Sequence, residues 1–142
     1  MIIPIIRFNF LESIGLSDRR SLKQFLGRLF KKEGQSLAEL QYVFCSDHYL
    51  LIINHQYLGH DFYTDIITFP LSEKHQPINA EIYISVDRVR ENAHKYDSSL
   101  KKELHRVIFH GALHLCGYQD KQARQQQEMR RREDYYLKLY GL

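Results

Sequence analysis

Apolar positions along this chain change period several times, and each change marks an element. After Pro4, the residues Ile6, Phe8 and Phe10 alternate with polar neighbours, which is the period of a half-buried strand. From Ser17, a residue type suited to capping a helix start, Leu22, Phe25, Leu26, Leu29 and Phe30 recur at steps of three and four. This spacing predicts a helix, and Gly34 stands where its C-terminal stop belongs. Residues 40–45, LQYVFC, predict a second strand. Asp47 is placed to cap a short helix carrying Leu50, Leu51, Ile53 and Tyr57, although the Leu-Leu-Ile-Ile run suits a strand equally. TDIITFPL (64–71) is rich in β-branched residues and breaks at Pro70, and AEIYIS (80–85) follows after a polar loop. Together they predict a β-ribbon with an exposed connector. From Asp87 the pattern turns helical, with an amphipathic stretch to about Tyr96, a break at Asp97-Ser98-Ser99, a long helix from about Leu100 and a last helix from about Gln122 to Tyr140.

Strands come first and helices second, so the expected class is α+β: a small, mostly β-ribbon sheet flanked by helices. The 142 residues carry no linker, repeat or low-complexity tract and are read as one domain, 1–142. A hydrophobic share of 44% supplies a core and excludes a disordered chain. Two cysteines, Cys45 and Cys116, are too few for a disulfide scaffold and read as free thiols in a reducing compartment. MIIPIIRFNF lacks the basic start of a signal peptide, and no run approaches the roughly 18 apolar residues of a membrane span. The expectation is a soluble cytoplasmic protein with no membrane partner. Its net charge of +3 permits a polyanionic partner without demanding one.

Chemistry concentrates in ELHRVIFHGALHLCGYQDKQ, residues 103–122. Leu104, Val107, Ile108, Gly111 and Leu115 form one apolar stripe at helical spacing. His110 and His114, four apart, lie one turn above each other on the same face. Gly117 ends the helix, and Asp120, three residues later, can fold back toward its end. Two imidazoles and a returning carboxylate make a three-ligand site with a fourth position open for water, the arrangement of catalytic metal. The zinc-peptidase helix HExxH needs a glutamate directly after the first histidine as general base. Gly111 stands there, so that chemistry loses its proton acceptor.

The segment His110-Gly111-Ala112-Leu113-His114-Leu115-Cys116-Gly117-Tyr118-Gln119-Asp120 resembles the signature of the YbeY endoribonucleases, H-G-x-L-H-L-x-G-Y-D-H, with Asp120 in place of the final histidine. TDIITFP (64–70) is similar to that family's T-D-V-L-S-F-P strand, AEIYIS (80–85) to its G-D-I-x-I-S strand, and Met129 with Glu133 to the M-x-x-x-E of its last helix. The resemblance covers roughly residues 40 to 142. It implies a metal-dependent endoribonuclease acting on single-stranded ribosomal RNA, in 16S 3′-end maturation and ribosome quality control. It also implies one divalent metal per chain, zinc, on His110, His114 and Asp120, and partners among ribosomal RNA and ribosome-associated proteins. Aspartate is an ordinary zinc ligand, though a harder one that also suits manganese.

One departure bears on catalysis. Where the resemblance calls for an arginine before the glycine of R-G-K-D, this chain reads Leu58-Gly59-His60-Asp61. His60 is then the catalytic candidate, as a source of a proton or partial charge. Lys101, Lys102 and Arg106 are the candidate substrate-binding cations, able to contact phosphates. The rival readings are a metal-binding ribosome assembly factor with little or no cleavage, and a metallohydrolase of another substrate.

Overall fold

A computed structural model describes residues 3–60 and 63–142. Among them, apolar alternation and β-branching produce four strands: β1 (Ile5–Phe10), β2 (Leu37–Cys45), β3 (Ile66–Pro70) and β4 (Ile78–Ser85). They form one sheet in the order β1-β2-β4-β3. The expected ribbon is the antiparallel pair β3–β4, joining Ile66 to Ile84 and Pro70 to Ala80. The other two pairings, β1–β2 and β2–β4, are parallel, so the sheet is mixed where the sequence suggested mostly ribbon. Parallel neighbours need a crossover, which no local pattern announces. The helix α1 (Arg19–Lys32) supplies the one between β1 and β2.

The remaining helices are α2 (Asp47–Leu58), α3 (Val86–Lys95), α4 (Leu100–Leu115) and α5 (Ala123–Tyr140). The α+β class stands. Two caps shift by a residue from their expected places. Ser46, not Asp47, caps α2 by accepting the Tyr49 N–H at 3.0 Å, which leaves Asp47 in the first turn where its charge suits the helix dipole. Asp18, not Ser17, precedes α1. The stop at Gly34 is as expected. Its φ of 74° lets the Gly34 and Gln35 N–H groups close on Lys31 and Phe30 carbonyls.

Helix α4 runs through the middle of the domain. Ser99 caps it, accepting from the Lys102 N–H at 3.1 Å. The predicted stripe is buried except for the half-buried Leu115, and the other sides are covered as well, so Glu103 through Phe109 and Gly111 through Leu113 are all buried. Gly111 sits at a close approach of helix and sheet: a Cβ built there would lie 3.0 Å from Ile66 and Ile82 methyl carbons. The Tyr42 hydroxyl, buried in β2, donates to the Ile108 carbonyl at 2.8 Å and ties the helix to the sheet.

Candidate metal centre

The last two turns of α4 carry His110 and His114, with ring centroids 5.3 Å apart and planes perpendicular. The chain then reverses. Gly117, at φ 109°, allows its own N–H to reach the His114 carbonyl at 3.0 Å while the Tyr118 N–H reaches Leu113 at 3.1 Å. This turn directs the next residues back over the helix end. Asp120 Oδ2 lies 3.3 Å from His110 Nε2, and its Oδ1 lies 3.4 Å from His114 Nε2. One ligand atom from each residue falls within 4.8 Å of the others. Tetrahedral ligands at zinc-like bond lengths stand about 3.3 Å apart, so the two imidazoles and the carboxylate fit a divalent metal.

Behind His110 stands a carboxylate whose role the sequence reading missed. Glu133 of α5 is 5% exposed and accepts from His110 Nδ1 at 2.6 Å. That bond fixes the ring and leaves Nε2 directed at the cluster, as outer carboxylates do for metal-binding histidines. Arg106 donates to Glu133 at 3.1 Å and to Asp134 at 2.8 Å, so the buried acid is itself neutralised. The signal was present in phase: Met129, Glu133, Tyr136 and Leu137 share the buried face of α5, and an acid on a core-facing row needs a partner. Burial opposes charge on His110, yet Glu133, with Asp65 and Asp120 nearby, holds its pKa above the ordinary imidazole value. The same field favours a bound cation.

The site opens into a cleft of about 980 Å³ whose walls include Asp65, Glu103, His110, Asp120, Arg130 and Glu133. Glu103, two turns before His110 on α4, is buried. Burial pushes its carboxyl pKa up, against the pull of Arg106 and Arg130.

The candidate cations separate. Arg106 lines the cleft but is 9% exposed and committed to Glu133 and Asp134, so it is an internal ion pair rather than a free phosphate contact. Lys101 and Lys102 lie in the first turn of α4, outside the cleft lining, with Lys101 exposed and Lys102 half-buried. The consecutive arginines diverge around α5. Arg131 pairs with Glu128 and Arg132 with Glu33, while Arg130 is exposed on the cleft wall with no ion pair among the described residues. His60 is exposed just beyond α2, its N–H donating to the Asn54 carbonyl at 3.2 Å, and it lies outside the lining. Leu58, also outside the lining, ends α2. Tyr63 lies exposed under the Arg88 guanidinium at 5.3 Å. Both thiols are free. Burial pushes each up to about 12, which leaves them inert at neutral pH.

Residues 13–141 match the family profile described as Endoribonuclease YbeY. This chain belongs to the YbeY endoribonuclease family. A relative named Endoribonuclease YbeY from Cytophaga hutchinsonii is 49% identical over 124 residues, covering 87% of each chain. One of the same name from Flavobacterium psychrophilum is 42% identical over 136 residues, covering 96% of each. The fold is similar to the solution structure of TM1509 from Thermotoga maritima, with a TM-score of 0.66 at 32% identity over 94% of this chain and 87% of that one. In this YbeY chain the cluster comes from one helix turn and the loop after it, and Glu133 comes from the helix that follows. No helix among the described residues is long and apolar enough to cross a membrane.

Proposed function

We propose that this chain is a metal-dependent endoribonuclease of single-stranded ribosomal RNA, acting in the cytoplasm with ribosome-associated proteins, and that residues 1–142 form its one catalytic domain. His110, His114 and Asp120 hold one divalent cation, zinc. The observation that carries this reading is the convergence of those three side chains at the end of α4, where His110 and Asp120 line a cleft, with Glu133 fixing His110 from behind. Membership of the YbeY family supports the reaction class.

His110, His114 and Asp120 would hold the cation, which when bound would supply Lewis-acid activation of water and offset charge on a phosphate. The chain's own residues do the rest. Glu133 holds the Nδ1 proton of His110 and so sets its tautomer. Asp120 adds a negative charge to the ligand set, which a cation neutralises. Arg130 of α5 on the cleft wall, with Lys101 and Lys102 in the first turn of α4, offers positive charge to the RNA backbone. A proton-transfer role for His60 requires the segment after α2 to reach the cleft; His60→Ala with an unchanged cleavage rate removes it.

The test is cleavage of single-stranded RNA by protein freed of trace nuclease, with and without chelator. Cleavage should stop with chelator and in His110→Ala and His114→Ala, and elemental analysis should show those variants depleted of metal. Cleavage indifferent to all three treatments overturns the reading. RNA binding without any metal-dependent cleavage favours the assembly-factor alternative.

A further inference from the structure

Of the three groups assigned to the metal, Asp120 alone is not held by helix geometry. His110 and His114 ride on a buried helix, whereas Asp120 sits in the loop between α4 and α5. Backbone N–H groups tie the two ends of that loop, from Gly117 and Tyr118 to α4 and from Lys121 to Gln125 of α5 at 3.2 Å. The side-chain tie from elsewhere in the fold is Glu33, the residue that ends α1 far away in sequence. Its Oε1 accepts from the Tyr118 hydroxyl at 2.8 Å, and Tyr118 is two residues before Asp120. Its Oε2 accepts from Arg132 and from the Tyr136 hydroxyl, both on α5. The Arg132 guanidinium also lies 5.9 Å from the centre of the Tyr118 ring. One carboxylate therefore joins the end of α1, the loop that bears the third ligand and the helix that bears Glu133.

We propose that Glu33, acting through Tyr118, is a positioning residue for the metal centre: it sets the place of Asp120 and hence the affinity of the site. The inference rests on the ligand assignment above. A ligand on a free loop loses affinity to the entropy of ordering it, and a bond that holds the loop in place beforehand removes that cost. The two tyrosines separate positioning from mere stability. Both donate to Glu33, but only Tyr118 belongs to the Asp120 loop. Tyr136 joins α5 to α1 and is 1% exposed in the core.

The measurement is zinc affinity by competition with a chromophoric chelator, for wild type, Tyr118→Phe, Tyr136→Phe, Glu33→Gln and His110→Ala, at a temperature where all are folded. Absorption of bound cobalt(II) reports the coordination geometry alongside. Tyr118→Phe should weaken zinc binding about tenfold, the low end for removing an outer hydrogen bond at a metal site, and should alter the cobalt bands. Glu33→Gln should weaken it in the same direction, and Tyr136→Phe should lower thermal stability while keeping wild-type affinity. Equal affinity in wild type and Tyr118→Phe, or equal losses in the two Phe variants, overturns the inference while leaving the ligands in place. Wild-type affinity in His110→Ala overturns the ligand assignment itself.

Discussion

At the residue scale, two carboxylates organise this domain, Glu133 buried and Glu33 half-buried, each held by an arginine and further hydrogen-bond donors. Glu133 is matched by Arg106 and His110, and Glu33 by Arg132 and two tyrosine hydroxyls. Burial alone would raise the Glu33 pKa, but the hydrogen bonds from Tyr136, Arg132 and Tyr118 outweigh it and hold the carboxyl below its ordinary 4.5. The sign follows by linkage. A depressed folded pKa stabilises the protein above the unfolded value, and that stability is lost as pH falls through the lower folded value. Glu33→Gln should therefore reduce stability at pH 7, and the gap from wild type should narrow below pH of about 4; urea denaturation at both pH values checks it. A gap that is constant with pH would mean that the ionised form is not what the hydroxyls and guanidinium stabilise. For Glu133, replacing Glu by Gln should cost roughly 10–100-fold in zinc affinity, measured by chelator competition, because His110 loses the partner that fixes its ring.

At the scale of elements, the meeting of α4 with the sheet decides where the histidines stand. In the sequence Gly111 belonged to the apolar stripe of the helix and stood where a peptidase would carry glutamate. In the fold it is a packing contact, and no larger side chain enters without moving Ile66 or Ile82. Gly111→Ala adds helix propensity worth about 1 kcal/mol but overpacks a contact at about 1–3 kcal/mol, so a net loss of about 1 kcal/mol is expected. Ile82→Val trims one side of that contact and should recover part of the loss, seen as positive coupling in a double-mutant cycle by thermal denaturation. Additive losses would show that the close approach is not the cause.

At the scale of the whole molecule, charge and cleft together define how RNA is met. The net charge is small, so affinity depends on a few cations near the site rather than on a general positive field. RNA binding should weaken with salt. Arg130→Glu should lower affinity and flatten the logarithmic salt slope by about 0.7 for each phosphate that is no longer neutralised, with metal content unchanged. Arg106→Glu should behave differently. It places a charge beside Glu133 and Asp134 in a buried position, and a loss of about 3–5 kcal/mol of stability is expected in denaturation experiments. If Arg106→Glu instead leaves stability intact and changes only the salt slope, Arg106 meets RNA at the surface after all.

The sequence alone determined whatever depends on short spacing. The period of apolar residues placed the helices and strands apart from α2, whose Leu-Leu-Ile-Ile run suited either, His110 and His114 share a face because four residues make about one turn, and Gly117 predicted the reversal that returns Asp120. The long HGALHLCGY run carried the family. Tertiary structure decided what depends on residues distant along the chain. The parallel pairings of β2 with β1 and β4 involve crossovers that leave no local mark. Arg106 and Lys102 look alike as helix cations, and only the packing of α5 commits one of them to Glu133 and Asp134 while the other stays on the half-buried first turn. Glu33 reads as an ordinary end-of-helix acid until the fold brings Tyr118, Arg132 and Tyr136 to it across 85 or more residues. Periodicity records which face of an element is buried; it does not record what lies opposite, and the partners of a buried charge are set by what lies opposite.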